Sequence, residues 1–290
     1  VQTIQHIASG AVCAITEPTQ GGATSVSLPS NVTIVNASTV SRTVTNTFDY
    51  AQLTVSKNVI TSAQDEHNAA VILDSPFTVT VTCTFNGSAV YADGYSAGTP
   101  MVLSLAAGAA QTLTKLPAGA SCTVTETTPG HAEGTTIRWS TATNPGGTTA
   151  VGTTATFTLT RDNPGGTNSA IVNNSYGVAS FTVEKQVKGG GAAQFGTGPF
   201  IIHVLCVAPG GVTAYDGDVS LSPSTTMSVT INNIAKSSVC SAQETNFAST
   251  GADALVYRNG AGAVFDGTGV DVSTGTPKVT VENWYLTGEV

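Results

Sequence analysis

Charge is scarce in this sequence. Only 10% of its 290 residues are Asp, Glu, Lys or Arg, and 10 basic residues against 18 acidic ones leave a net charge of −8. With no basic cluster anywhere, a nucleic-acid partner is excluded, because phosphate binding needs concentrated positive charge. Aromatic residues make up 6% of the chain, and Lys and Glu are too few for helical bundles or coiled coils, which depend on strong helix formers. No apolar run approaches the ~20 residues of a membrane-spanning helix, so no membrane contact is expected within this segment. A signal peptide is not evident and residue 1 is Val, so processing or excision is expected to have removed what came before. The four His residues (6, 67, 131 and 203) lack metal-ligand spacing to one another or to Cys, so neither a metal nor a cofactor is implied. What is plentiful is Thr (47 residues) and Gly (31). Thr and Val suit a pleated, half-buried surface, and the chain therefore reads as all-β.

Internal repetition is the strongest signal. Three segments share two apolar residues three apart, then a Cys, then a Glu four positions on. They are Ile4-Gln-His-Ile7 with Cys13-Ala-Ile-Thr-Glu17, Leu113-Thr-Lys-Leu116 with Cys122-Thr-Val-Thr-Glu126, and Ile231-Asn-Asn-Ile234 with Cys240-Ser-Ala-Gln-Glu244. A second signature follows each. Asn46 precedes Leu53-Thr-Val-Ser-Lys57 and Asn174 precedes Phe181-Thr-Val-Glu-Lys185, the Asn-to-Lys distance being 11 both times. A third Asn, Asn283, lies seven residues from the last residue.

This register divides the chain. Residues 1–49 read as the C-terminal half of a truncated repeat, 50–177 and 178–286 as complete repeats, and 287–290 as the start of another. Glu17 to Glu126 is 109 residues and Glu126 to Glu244 is 118, which suits one immunoglobulin-sized sandwich per repeat. Each complete repeat holds two cysteines, Cys83 with Cys122 and Cys206 with Cys240. Their paired recurrence reads as a disulfide between two core strands in an oxidising compartment, although free buried cysteines are also common. Cys13 is left over, and its partner is expected upstream of Val1.

Period-two alternation is clear in Phe77-Thr-Val-Thr-Val-Thr-Cys-Thr-Phe85, which sends Phe, Val and Cys to one face and Thr to the other. Asn144-Pro-Gly-Gly147 and Asn163-Pro-Gly-Gly166 read as turns, and Thr61–Leu73 is the one stretch able to hold a short helix. Parity then makes a chemical statement. Lys57 shares a face with Leu53 and Val55, Glu126 with Cys122 and Val124, and Asn174 with Val172. Lys185, Glu244 and Asn283 repeat the pattern, so each complete repeat aims an amine, a carboxyl and a carboxamide inward. Burial favours the neutral forms of both ionisable groups. A neutral amine is a nucleophile and a protonated carboxyl can relay protons, so the trio can expel ammonia and leave a Lys–Asn amide. A noncovalent, hydrogen-bonded triad would show the same spacing, and a one-residue slip would substitute Asn173 for Asn174.

Leu116-Pro-Ala-Gly-Ala-Ser-Cys-Thr-Val-Thr-Glu-Thr127, together with the first-strand Lys and the closing Val-x-Asn, resembles the Cna-B-like and Cys-containing repeat domains of Gram-positive, especially actinobacterial, surface proteins. The resemblance implies tandem inverse immunoglobulin-like sandwiches carrying intramolecular isopeptides. By position, Lys57 would bond Asn174 with Glu126 assisting, and Lys185 would bond Asn283 with Glu244 assisting. Glu17 and Asn46 would serve a Lys that lies outside this chain. Ile234-Ala-Lys-Ser-Ser-Val-Cys240 departs from the motif in lacking its Pro and Gly.

The implied function is structural: a stalk or filament module on a bacterial surface whose partners are neighbouring repeats of the same or adjacent chains. Alternatives are an adhesin that binds a host or surface ligand through insertions at 63–73 or 144–166, and a polymerising pilin-like subunit. Self-modification once per molecule is not enzymatic turnover. Gly94-Tyr-Ser-Ala-Gly98 matches a nucleophile-elbow pattern, but no helix is expected after it. Tyr215-Asp-Gly-Asp218 and Asp266–Asp271 read as ordinary acidic turns rather than calcium loops. Lys188-Gly-Gly-Gly191 reads as a loop with no helix behind it, and so not as a phosphate cradle.

Overall fold

The computed structural model describes residues 1–162, 168–273, 275 and 277–288. Strands dominate it. Four short strands come first: β1 (Val12–Cys13), β2 (Ser25–Ser27), β3 (Val32–Thr33) and β4 (Thr45–Thr47). The first sandwich follows with β5 (Tyr50–Thr61), β6 (Phe77–Phe85), β7 (Ser88–Val90), β8 (Met101–Leu105), β9 (Ala110–Pro117), β10 (Ser121–Glu126), β11 (Gly134–Thr141), β12 (Asn144–Val151), β13 (Thr154–Thr158) and β14 (Ser169–Tyr176). The second has β15 (Val178–Lys188), a one-turn helix α1 (Ala192–Phe195), then β16 (Phe200–Val207), β17 (Thr213–Leu221), β18 (Ser228–Ala235), β19 (Val239–Glu244), β20 (Ala254–Asn259), β21 (Val264–Phe265), β22 (Val270–Asp271) and β23 (Lys278–Trp284). Among the described residues no helix is long and apolar enough to cross a membrane.

Both sandwiches follow one plan. One sheet runs β13-β10-β6 with β7 and β8 both on β6, and its counterpart runs β17-β16-β19-β22. The facing sheet runs β12-β11-β14-β5-β9, and its counterpart β18-β15-β23-β20-β21. In each facing sheet the first strand pairs parallel with the last, β5 with β14 and β15 with β23. Parallel pairing requires a long crossover, and here almost the whole repeat is that crossover.

The apolar-x-x-apolar motif has a local cause. Residues three apart in a regular strand face opposite sides, yet Leu113 and Leu116 are both buried, as are Ile231 and Ile234. A residue in the left-handed region restores the phase: Lys115 at φ 60° and Asn233 at φ 59°. Their partner strands shift register opposite them, between Ala51 and Leu53 and between Ala179 and Phe181. These are β-bulges that turn both apolar side chains to the core.

Several sequence expectations need correcting. Thr61–Leu73 holds no helix; Asp65 Oδ1 accepts from the His67 and Ala69 amides and closes a turn, with a bridge between Gln64 and Ala70. Short polar side chains that bond the nearby backbone favour turns over helix. Asn144-Pro-Gly-Gly147 is not a turn either. The reversal is at Ala142–Thr143, and the Pro lies in β12, an edge strand that tolerates a missing amide hydrogen. Asn163–Gly166 lies outside the described residues. Tyr215–Asp218 belongs to β17. A one-turn helix does follow Lys188-Gly-Gly-Gly191, and the glycines serve packing: Gly189 has φ +91°, and a Cβ there would lie 2.1 Å from the Tyr285 carbonyl oxygen.

The two cores are distinct clusters, but the second recruits residues from the first repeat. Ala63, Val71, Leu73 and Tyr176 are buried with Phe181, Ile202, Leu221 and Val281. The 63–73 segment, one of the two insertions considered for ligand contact, is thus occupied in the joint between repeats. Glu66 accepts the Asp216 amide, Gln64 and Asn233 bond each other, and Lys236 pairs with Glu133 at 2.6 Å.

Candidate functional site

Lys57 stands on β5 and Asn174 on the adjacent parallel β14, while Glu126 comes from β10 in the opposite sheet. In register, Lys57 faces Val172 and Asn174 faces Val59, so the amine and the carboxamide sit diagonally, two residues apart, on one face. The second repeat reproduces this, with Lys185 opposite Val281 and Val187 opposite Asn283. Its carboxylate, Glu244, is on β19. Each Glu therefore reaches across the sandwich to a Lys–Asn pair held by the facing sheet. All six residues are buried. Asn173 points the other way, accepting from Asn58 and contacting Thr136, and takes no part.

In the second repeat the contacts form a closed ring. Lys185 Nζ donates to Glu244 Oε2 at 2.6 Å and to Asn283 Oδ1 at 2.6 Å, and Asn283 Nδ2 donates to Glu244 Oε1 at 2.9 Å. One carboxylate thus touches both the amine and the carboxamide nitrogen. The first repeat is looser. Lys57 Nζ is 2.8 Å from Glu126 Oε1, and Asn174 Nδ2 donates to that same oxygen at 3.0 Å. Glu126 Oε2 and Asn174 Oδ1 are buried without a hydrogen-bond partner. Each such atom costs about 1–3 kcal/mol.

Both amines are dry. Burial holds Lys57 below its ordinary value, against the opposing pull of Glu126. Burial likewise lowers Lys185 to about 8, opposed by Glu244. A phenyl ring closes each site, with Lys57 Nζ 4.3 Å from the Phe77 centroid and Lys185 Nζ 4.6 Å from that of Phe200. The sequence alone marks these rings only as core residues. The clue was available: Pro76-Phe77 and Pro199-Phe200 open equivalent strands in both repeats.

Disulfides join Cys83 to Cys122 and Cys206 to Cys240. Each links directly opposed residues on neighbouring strands of one sheet. Cys13 is free. Glu17 and Asn46 are also together, Asn46 Nδ2 donating to Glu17 Oε1 at 2.8 Å, but in an exposed setting.

Elsewhere the chemistry is sparse. Ser96 is exposed in a loop bridged to Thr99, with no strand-to-helix turn. Asp266 closes a turn by accepting from Thr268. His203 lies between Asp216 and Asp218, at 3.3 and 3.0 Å, and Asp65, Glu66 and His67 bring potential ligand atoms within 4.8 Å of one another. Neither cluster was visible as a spacing motif. The first depends on strand pairing, and the second is only an acidic turn.

The family model for a domain of unknown function, DUF5979, matches residues 53–177 and again 181–286. The chain belongs to that family. Its two DUF5979 copies carry one triad each. No curated protein matches the chain. Among solved structures, a pilus-presented adhesin aligns at 17% identity and TM-score 0.30 over 43% of this chain. The alignment spans only 26% of that adhesin's length. A major pilin (T-13) of Streptococcus pyogenes aligns at 12% identity and TM-score 0.39, covering 81% of this chain and 97% of its own. An adhesin from Mobiluncus mulieris, described as containing intramolecular disulfide, isopeptide and ester bond cross-links, aligns at 11% identity and TM-score 0.32, covering 73% and 86%. Likeness this weak transfers nothing to the DUF5979 triads.

Proposed function

We propose that the chain is a load-bearing stalk or filament module of a bacterial cell-surface protein, with Cna-B-like repeats each clamped by a Lys–Asn isopeptide and a disulfide. One observation carries this reading: in both sandwiches a dry amine, a carboxylate and a carboxamide converge between the first and last strands. The neutral Lys Nζ attacks the Asn carboxamide carbon. Its proton passes through the Glu to Asn Nδ2, which leaves as ammonia, and a C–N bond replaces the one broken. Lys57 would join Asn174 through Glu126, and Lys185 would join Asn283 through Glu244. The product removes a buried amine and its desolvation cost.

Placement of the bond suits tension. A pull on the two ends of a repeat enters through its first and last strands, which are the strands the isopeptide would tie. Force then bypasses the sheet hydrogen bonds. The short passage between repeats, a single residue (Gly177) between β14 and β15, supports a chain of modules with little slack. Residues 50–177 and 178–286 are the mechanical units on this reading.

Single-molecule pulling tests it. The intact repeats should show no unfolding extension between the clamped strands. Lys57→Ala should release chain from the first repeat alone, about 3.5 Å per freed residue, less the loop still closed by Cys83–Cys122. Equal extension in the intact chain and the variant would refute the role.

A further inference from the structure

The Asn carboxamide of each triad carries two N–H donors, and its Glu accounts for only one of them. A second acceptor takes the other, from the connection that follows the Glu strand. In the first repeat, between β10 and β11, the Pro129 carbonyl accepts from Asn174 Nδ2 at 3.2 Å. In the second, between β19 and β20, Thr250 Oγ1 accepts from Asn283 Nδ2 at 3.4 Å. One acceptor is a backbone carbonyl three residues after Glu126, the other a hydroxyl six residues after Glu244. The role recurs although the residue does not.

Each acceptor is itself held in place. The Thr250 hydroxyl donates its one hydrogen to the Phe247 carbonyl at 2.8 Å, which leaves its lone pairs for Asn283 and for the Ala252 amide, 3.4 Å away. The Thr250 carbonyl accepts from the hydroxyl of Tyr285, a buried residue two positions beyond Asn283, at 3.1 Å. Tyr176 stands two positions beyond Asn174 and does the matching work indirectly. Its hydroxyl donates to Asp74 Oδ2 at 2.9 Å, and the same oxygen accepts the His131 amide at 2.9 Å. Gly130, at φ +61°, packs against that carboxylate so closely that a Cβ would not fit. Asp74 and Tyr176 thus fix the turn that carries Pro129.

A planar carboxamide can face either way. With both N–H groups committed, the nitrogen lies toward the Glu and Oδ1 is turned from it, in the second repeat onto Lys185 Nζ at 2.6 Å. Reversed, Oδ1 would meet the carboxylate and a second oxygen that has no hydrogen to offer it.

We propose that Thr250 is a positioning residue for bond formation in the second repeat, holding the Asn283 nitrogen toward Glu244 and its carbonyl toward Lys185, and that the Pro129 carbonyl does the same for Asn174. The inference rests on the isopeptide reading. The amine nitrogen bonds to the carboxamide carbon and the C–Nδ2 bond breaks. Nδ2 keeps its two hydrogens and takes the amine's proton through the Glu, leaving as ammonia. Only the orientation that sets Nδ2 beside the Glu permits that last transfer.

The test follows ammonia loss from the whole, freshly synthesised chain by time-resolved mass spectrometry, at a pH above the Lys185 value of about 8. Peptide mapping assigns each bond. Thr250→Val keeps the side chain's shape without the acceptor. It should slow the Lys185–Asn283 bond by about twofold to tenfold, the range one neutral hydrogen bond supplies. Thr250→Ser should run at the wild-type rate, and in both variants the Lys57–Asn174 bond of the same molecule should be unchanged. Tyr285→Phe and Tyr176→Phe should each slow only the bond of its own repeat. A wild-type rate in Thr250→Val overturns the inference. So does a Thr250→Ser as slow as Thr250→Val, because the methyl group and not the oxygen would then matter. Slowing of both bonds by any of these variants marks a general folding defect and overturns it as well. A wild-type chain that loses no ammonia refutes the isopeptide reading itself; one that loses two, with Thr250→Val unaffected, refutes the positioning alone.

Discussion

Burial and ionisation oppose each other at Lys185. Its pKa of about 8, against an ordinary value of 10.5, means that the unfolded chain binds the proton more tightly between those two values. For a Lys depressed on folding, stability therefore rises with pH across that window and is lower below it. We expect an Asn283→Ala variant, which keeps the amine but cannot form the bond, to gain stability from pH 8 to about 10.5 in denaturant titrations. On the proposed mechanism the same shift sets the rate of bond formation. In freshly synthesised protein, ammonia loss from the second repeat should accelerate about tenfold per pH unit up to about 8 and then level off, as time-resolved mass spectrometry would show. Glu244 touches both the Lys185 amine and the Asn283 carboxamide nitrogen. Glu244→Ala should stop that bond, leave the first repeat's bond intact, and cost about 3–5 kcal/mol by stranding a buried amine; peptide mapping and unfolding of the variant check both parts.

At the scale of strands, parity and repetition made much of the design legible. Period two alone places Lys57, Glu126 and Asn174 on inward faces, and the structure puts all three in one buried site. What parity alone missed is instructive. Leu113 and Leu116 share a face only because Lys115 takes a left-handed bulge, which an alternation rule does not contain. Phe77 and Phe200 looked like ordinary core until the amines were seen beneath their rings. The Asp216–His203–Asp218 cluster depends on which strands pair, and Pro145 sits within a strand because an edge strand forgives what a central strand does not. The disulfides act at this scale too, stapling β6 to β10 and β16 to β19. Replacing both Cys206 and Cys240 with Ala should destabilise the second sandwich by about 2–4 kcal/mol, read from its unfolding transition.

Across the whole molecule, the joint between repeats is a piece of shared core. Leu73 belongs in sequence to the first repeat and in packing to the second. Its position had been open to a ligand-binding insertion, since nothing in a stretch of small, polar and apolar residues says which neighbour it will meet. Leu73→Ala should lower the second repeat's stability by about 2–5 kcal/mol, with the first repeat unchanged, in thermal unfolding followed repeat by repeat. The central claim for the molecule remains that each complete sandwich closes itself with an amide between its first and last strands. Intact mass of the fully reduced protein tests it most directly. The chain should weigh two ammonias less than its sequence, with Lys57→Ala and Lys185→Ala each restoring one. A reduced chain at its full sequence mass would contradict the claim.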